Sequence, residues 1–387
     1  LGATEGDPDQ EGLERLCHGL LEDALAVFDS ETVHLGGDET SAGLAKTGRY
    51  VRHFQSLIEK CLREGRRPAV WGDVALAHPE VLGALDRRTL IFDWQYFGGV
   101  SESARVLRSK GHEVVACPTI HVYDAAWCHV PESEDNVRRV AADAARLGLA
   151  GVCLTTWESG LFGAYDTVVP LVRAAAALID DPEGAPGLLQ GMGPAEEWAR
   201  LMGVVLNQVG GTFAFDGHRS RLKGRFLLGS DPFLLAHHHG EELAGPVGDA
   251  ALDVCEKALE AAPGEAEQGV TLFVRGAVEF ARMAVKAGRA YEDGRSEEAV
   301  AILAPSRHVF DTLETVAKRS HVRCGGSLAD VERCRRAREH VETVIKRIRA
   351  YGSGELGYLP SFDVLTSHRF TPHDQACWWA VNRWALD

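Results

Sequence analysis

Thr32-Val33-His34-Leu35-Gly36-Gly37-Asp38-Glu39-Thr40 is a short β-branched and apolar run that halts on two glycines and passes at once into two adjacent carboxylates. An apolar strand, a tight turn and then acids is how an α/β barrel brings reactive groups to the C-terminal rim of its sheet. In extended or turning backbone, neighbouring side chains point to different sides. Asp38 and Glu39 can therefore address two different atoms of one substrate. This stretch alone also fits a plainer reading, a helix N-terminus capped by Asp38 or Thr40 with its acids on the helix dipole.

The flanking sequence decides in favour of a sheet. Residues 11–28 read as an amphipathic helix, with Leu13, Leu16, Leu20, Leu21, Leu25 and Phe28 on one side. Residues 49–63 repeat that spacing through Val51, Phe54, Leu57, Ile58 and Cys61, and Gly65 closes the helix. A second strand is expected at 68–73, ending in Trp71-Gly72-Asp73, and a third at 89–94, ending in Asp93-Trp94-Gln95-Tyr96. Helix 101–109 leads to a fourth strand, 113–117, and helix 133–147 to a fifth, 151–157, ending in Thr155-Thr156-Trp157-Glu158. Short, continuous apolar strands alternating with helices indicate a buried parallel sheet, and right-handed crossovers curl it in one sense.

Each expected strand finishes in polar or aromatic residues: the acid pair, Trp71 with Asp73, Asp93 with Trp94, His121 with Tyr123 and Asp124, and Trp157 with Glu158. The opposite ends carry nothing comparable. Such one-ended clustering of acids and tryptophans is the pattern of a barrel active site. It suits a sugar, whose C–H face stacks on an indole while carboxylates accept from its hydroxyls.

Beyond 180 the alternation stops. Residues 180–194, with Asp-Asp-Pro-Glu-Gly and Gly-Met-Gly-Pro, read as a linker. After it come a helix over 194–209, an irregular stretch over 210–229, and long amphipathic helices at about 249–262, 266–292, 295–319 and 326–351. The expected organisation is thus a partial (β/α) barrel over 1–179, a linker over 180–194 and an α-helical domain over 195–387. Adjacent histidines such as His237-His238-His239 cannot share one helix face, so no metal is assigned there. The tail with Phe370, Trp378, Trp379 and Trp384 reads as a docking surface against the barrel.

The 387 residues are 45% hydrophobic with a net charge of −15, which disfavours nucleic acid or an anionic membrane as partner. No apolar run approaches a membrane span; the longest candidate, 174–179, is far too short. Nine scattered cysteines without a Cys-x-x-Cys pair point to reduced thiols in a cytoplasmic compartment rather than to disulfides or structural zinc. The chain opens at Leu1 without a signal-like segment, which reads as a processed or truncated product and leaves an upstream targeting segment open.

His34-Leu35-Gly36-Gly37-Asp38-Glu39 resembles the His-x-Gly-Gly-Asp-Glu signature of glycoside hydrolase family 20, the β-N-acetylhexosaminidases. The resemblance covers about 1–178 and implies a (β/α)8 TIM-barrel. The helical C-terminal part is similar to that of a bacterial subgroup of the family. It implies retaining, exo-acting hydrolysis of terminal β-linked GlcNAc or GalNAc glycans, in which the substrate's own acetamide is the nucleophile and forms an oxazolinium ion. By this resemblance Glu39 is the general acid and then base, a role that needs a carboxyl able to hold a proton at working pH. Asp38 holds the acetamido N–H and stabilises the oxazolinium. Trp71, Trp94 and Trp157 form the acetamide pocket, Tyr123 donates to the acetamide oxygen, and Asp124 and Glu158 bind hydroxyls. His34 and Asp73 complete the binding set, and no cofactor or metal is implied. Tyr123 and Asp124 are adjacent here, as are Trp157 and Glu158, where the family separates each pair by one residue. The family's signature ends its fourth strand, so three earlier strands fall outside this sequence. The chain then supplies the last five units of a barrel, continued upstream or completed by another chain.

Two other readings remain at this point. One is a catalytically silent carbohydrate-binding module. The other is a metal-dependent hydrolase built on His34, Asp38 and His121, whose spacing matches no ligand motif. The sequence leaves a homo-oligomer open.

Overall fold

The apolar runs become five parallel strands in the computed structural model of the chain: β1 Thr32–His34, β2 Arg67–Trp71, β3 Leu90–Trp94, β4 Val114–Cys117 and β5 Gly151–Val152. It describes residues 12–39, 47–122, 125, 127–157, 165–209, 241–324 and 328–355. The sheet order is β1-β2-β3-β4-β5, with Val33 opposite Pro68, Val70 opposite Ile91, Asp93 opposite Ala116, and Val115 opposite Gly151. β5 is shorter than its apolar run implies; after Val152 the Cys153 N–H donates to Ala116 O (2.9 Å) and a bridge pairs Thr119 with Thr155.

The strand pleat sorts side chains onto two unlike faces. Val70, Ile91, Val114 and Ala116 pack with α2 (Thr47–Arg63), α3 (Asp73–Ala77), α4 (Glu80–Ala84), α5 (Ser101–Arg108) and α6 (Val130–Leu147), through Tyr50, Phe54, Ile58, Val74, Leu82, Leu107 and Val140. The other face carries Ala69, Trp71, Leu90, Phe92, Trp94, Val115, Cys117 and Cys153. Helices α2 to α6 thus supply one face alone, and the strand order has no reversal. A doubly wound sheet has helices on both faces and a switch point where its order turns back. This sheet has neither among the described residues.

α1 (Leu13–Val27) forms where the leucine spacing places it, but it buries a narrower stripe than that spacing implies. Leu21 packs with Leu57 and Cys61, and Cys17 and Leu25 lie partly against them. Leu16, Leu20 and Phe28 are 53%, 60% and 67% exposed. Helical periodicity marks an apolar side, while the width of the neighbour, here one edge of α2, sets how much of it is covered.

Asn136 of α6 ties the strand-end loops together. Its amide donates to the carbonyls of Gln95 (2.7 Å) and Gly98 (2.9 Å), and its Oδ1 accepts from the Thr119 N–H (2.9 Å). The side chain is almost fully buried. Asn136→Ala leaves buried backbone groups unpaired and is expected to cost about 2–4 kcal/mol of stability, read from urea unfolding. A change under about 0.5 kcal/mol, typical of an inconsequential surface site, would contradict that role.

By its contacts the chain falls into two compact units, 1–119 with 132–155 and 175–185, and 120–131 with 156–174 and 186–387. α7 (Tyr165–Asp180) runs through both segments. The stretch read as a linker contains α8 (Leu188–Gly191), whose Leu188 is buried. The second unit is helical. A short 3-10 turn (Gly193–Ala195), α9 (Glu196–Arg200), a π segment (Leu201–Val205) and a second 3-10 turn (Leu206–Gln208) stand where one helix was expected. Trp198 is fully buried against Trp127, and its indole N–H donates to Thr271 Oγ1 (2.9 Å).

α10 (Pro246–Ala261), α12 (Ser296–Leu303) and α13 (Ser306–Cys324) pack on α11 (Glu265–Glu292), and α14 (Leu328–Gly352) packs on α12 and α13. The single helix expected over 295–319 is broken between α12 and α13 at Ala304-Pro305, because proline lacks an N–H and its ring crowds the preceding turn. His237 to His239 and the tail tryptophans lie outside the described residues. Among the described residues no helix is long and apolar enough to cross a membrane.

Candidate functional site

The Gly-Gly-Asp-Glu turn is held at several points. Beyond β1 the ladder continues, with Leu35 N–H donating to Ala69 O (2.8 Å) and Trp71 N–H to Gly36 O (3.1 Å). Gly37 then turns the chain at φ 96°, and its carbonyl accepts from the Tyr50 hydroxyl (3.3 Å). Glu39 stands in the left-handed region at φ 49°, and its N–H donates to Asp73 Oδ2 (2.8 Å). A non-glycine residue in that region is uncommon and persists only where its surroundings impose it. Here the imposing group is a carboxylate from the end of the neighbouring strand.

Asp73 opens α3 directly after β2, at a turn where Gly72 N–H donates to Phe92 O (2.9 Å). Its Oδ1 is buried and makes no hydrogen bond of good geometry. Burial pushes the Asp73 carboxyl above the usual carboxylate range; the N–H groups of Glu39 and of Asp73 itself oppose this, the Asp38 charge adds to it, and the Trp94 side chain opposes it. Three carboxyls, Asp38, Glu39 and Asp73, thus share one turn.

Aromatic rings cluster on the helix-free face around His34. The His34 ring lies 4.4 Å from Trp71 and 4.7 Å, edge-on, from Phe92, and Trp71 and Phe92 are 5.8 Å apart. Trp94 lies 5.1 Å from Tyr96. His34 Nδ1 accepts the Gly36 N–H (3.1 Å), which assigns the ring proton to Nε2. Desolvation by its neighbours lowers the His34 pKa, and Asp38 partly opposes this. A neutral imidazole with an Nε2–H donor can serve a hydroxyl.

Of the residues singled out from sequence, His34, Asp38, Glu39, Trp71, Asp73 and Trp94 stand at adjoining ends of β1, β2 and β3. Asp93 turns away. The pleat aims it at the helices, where it accepts from Ser103 Oγ (2.6 Å) and Gln95 Nε2 (3.0 Å) and is fully buried. Trp157 follows the Thr155 bridge with 45% exposure and φ 44°. Tyr123, Asp124 and Glu158 lie outside the described residues. His121 is buried, its carbonyl accepting the His129 N–H (2.8 Å). No three His, Cys, Asp or Glu side chains gather as a metal site among the described residues.

Phe92 and Tyr50 escaped the sequence reading. Phe92 carried a signal, standing two residues before Trp94 and so on the same face of a strand. Tyr50, four residues before Phe54, shares the buried face of α2 and contacts that ring (4.4 Å), but nothing local ties it to Gly37.

The two glycines differ in a measurable way. A Cβ at Gly37 would stand 2.7 Å from the Tyr50 hydroxyl and 2.8 Å from Phe54 Cζ, whereas a Cβ at Gly36 (φ 81°) meets nothing. Gly36→Ala should cost about 1 kcal/mol from backbone strain alone, and Gly37→Ala about 2–4 kcal/mol once overpacking is added. Equal losses in thermal or urea unfolding would contradict this geometry. Comparison with models of known protein families and with curated protein sequences found no match.

Proposed function

We propose that the chain is the acid-bearing part of a retaining exo-β-N-acetylhexosaminidase. The sheet is read as the last five units of a (β/α)8 barrel within 1–179, followed by a helical region. The observation that carries this reading is the acid turn itself. Asp38 and Glu39 follow β1 in a turn whose Glu39 N–H is fixed by Asp73, and His34 and Asp73 in turn adjoin Trp71 and Trp94. A sugar seated there stacks on indole and meets two carboxylates at one bond.

In the proposed reaction Glu39 gives its proton to the glycosidic oxygen as the C1–O bond breaks. The substrate's acetamide oxygen attacks C1 from the opposite side, while Asp38 accepts from the acetamide N–H and offsets the charge of the oxazolinium. Glu39 then takes a proton from water as its oxygen adds to C1, which restores the β configuration. Asp73 works through the backbone as a positioning residue, fixing the conformation from which Glu39 projects. His34 offers Nε2–H to a hydroxyl. Tyr123, Asp124, Trp157 and Glu158 are proposed for the acetamide oxygen, the hydroxyls and the remaining wall. Terminal β-linked GlcNAc or GalNAc glycans are the substrate class, with no cofactor.

The test compares two aryl glycosides that differ only at C2. An aryl β-N-acetylglucosaminide should be hydrolysed with the β anomer as first product, and the aryl β-glucoside, which lacks the internal nucleophile, should not. Measured on a protein that carries the upstream barrel units as well, equal turnover of both, or none of either, would overturn the proposal.

A further inference from the structure

Two cysteines lie next to each other on the helix-free face, apart from the roles assigned above. The β4–β5 register sets Val115 beside Gly151 and Ala116 beside Val152, and Cys153 N–H donates to Ala116 O (2.9 Å), carrying the ladder one residue further. That step brings Cys117 beside Cys153, both on the face that carries Trp71, Phe92 and Trp94. Neighbouring strands are about 4.8 Å apart, within the Cα span that a disulfide bridges. Both thiols are free.

We propose that Cys117 and Cys153 form a peroxide-sensitive modification site, which closes a reversible disulfide between the ends of β4 and β5.

The two sulfurs have unlike roles. Cys153 is partly exposed, and Cys117 is fully buried beneath it. The Cys117 thiol donates to Val115 O (3.7 Å), and its proximity holds the Cys153 pKa down to about 6, against the opposing effect of burial, while the same proximity and burial push Cys117 up. Cys153 is therefore the thiolate that meets the oxidant, and Cys117 is the resolving thiol. In the first step the Cys153 sulfur attacks one peroxide oxygen, the O–O bond breaks, and the sulfur becomes a sulfenic acid as hydroxide leaves and takes up a proton. In the second, the Cys117 sulfur attacks the Cys153 sulfur, its proton leaves with the sulfenic hydroxyl as water, and the S–S bond forms. Peroxide is reduced to two waters and two thiols are oxidised to one disulfide. Side chains on parallel strands point the same way, so the Cβ atoms start farther apart than in a relaxed disulfide. A bridge under that strain reopens readily with dithiol. Trp94 is opposite Cys117 across β3 and β4, so the bond forms next to the aromatic wall.

The experiment treats the full chain with hydrogen peroxide at neutral pH, alkylates remaining thiols, and maps tryptic peptides by mass spectrometry. Fragmentation separates Cys117 from Cys128, which shares its tryptic peptide. The expected result is a dominant Cys117–Cys153 linkage that dithiothreitol removes. In Cys117→Ser, a sulfenic acid trapped by dimedone on Cys153 should accumulate instead. Recovery of both cysteines alkylated after peroxide, oxidation of Cys153 to a sulfinic acid without linkage, or a bridge from either to another cysteine would overturn the proposal. The unsubstituted protein alone decides among these outcomes, so a variant that fails to fold does not obscure them.

Discussion

Glu39→Gln is expected to lower hydrolysis of an aryl β-N-acetylglucosaminide by about 10²–10⁴-fold, the range of a single general acid–base group. The substitution keeps the side chain's size and the backbone N–H that Asp73 accepts, so the turn should persist. Glu39 is exposed, so stability should stay within about 0.5 kcal/mol. The loss should be larger for an alkyl or sugar leaving group than for a nitrophenolate, which departs with little need of a proton. Turnover within a factor of two of the unsubstituted protein, for a poor leaving group, would remove Glu39 from the chemistry.

The second large effect belongs to Asp38. Asp38→Asn keeps the shape but removes the charge that opposes the oxazolinium, leaving one neutral amide oxygen to accept from the acetamide N–H. A fall of about 10²–10³-fold in kcat is expected, comparable to losing one preorganised electrostatic group aimed at a transition state. KM should change little, because the charge develops only on the way to the intermediate. The same substitution takes a negative charge away from Asp73 and His34, so it should lower the Asp73 pKa and lower that of His34 further, both readable by NMR titration. A rise in KM with unchanged kcat would make Asp38 a ground-state binding group only.

Short continuous apolar runs and the 3.6 spacing were enough to place β1 to β4 and the helices α1, α2, α5 and α6, since such runs between amphipathic segments leave a parallel sheet little alternative. The acid pair was legible because glycine, glycine, acid, acid after a strand is a local signal. What joins it to its surroundings was not. The hydrogen bond from Glu39 to Asp73 links residues 34 apart, and the bond from Tyr50 to Gly37 depends on the docking of α2 under the turn. Asp93 shows a different limit. It sits at a strand end like the others, and only the pleat, counted from Trp94, turns it from the rim toward Ser103. Leucine spacing in α1 gave the helix but not how much of it is covered. Pro305 was visible in the sequence, yet an uninterrupted apolar pattern on both sides masked the break it makes.

The most direct test of the acid turn as an N-acetylhexosaminide site is calorimetric titration with a stable thiazoline analogue of the GlcNAc oxazoline, using the unsubstituted protein and Asp38→Asn. Binding of the unsubstituted protein at least 10²-fold tighter than to free GlcNAc, as transition-state-like ligands show, and lost in Asp38→Asn, is the expected result. No binding to the unsubstituted protein, or equal binding by both, would contradict it.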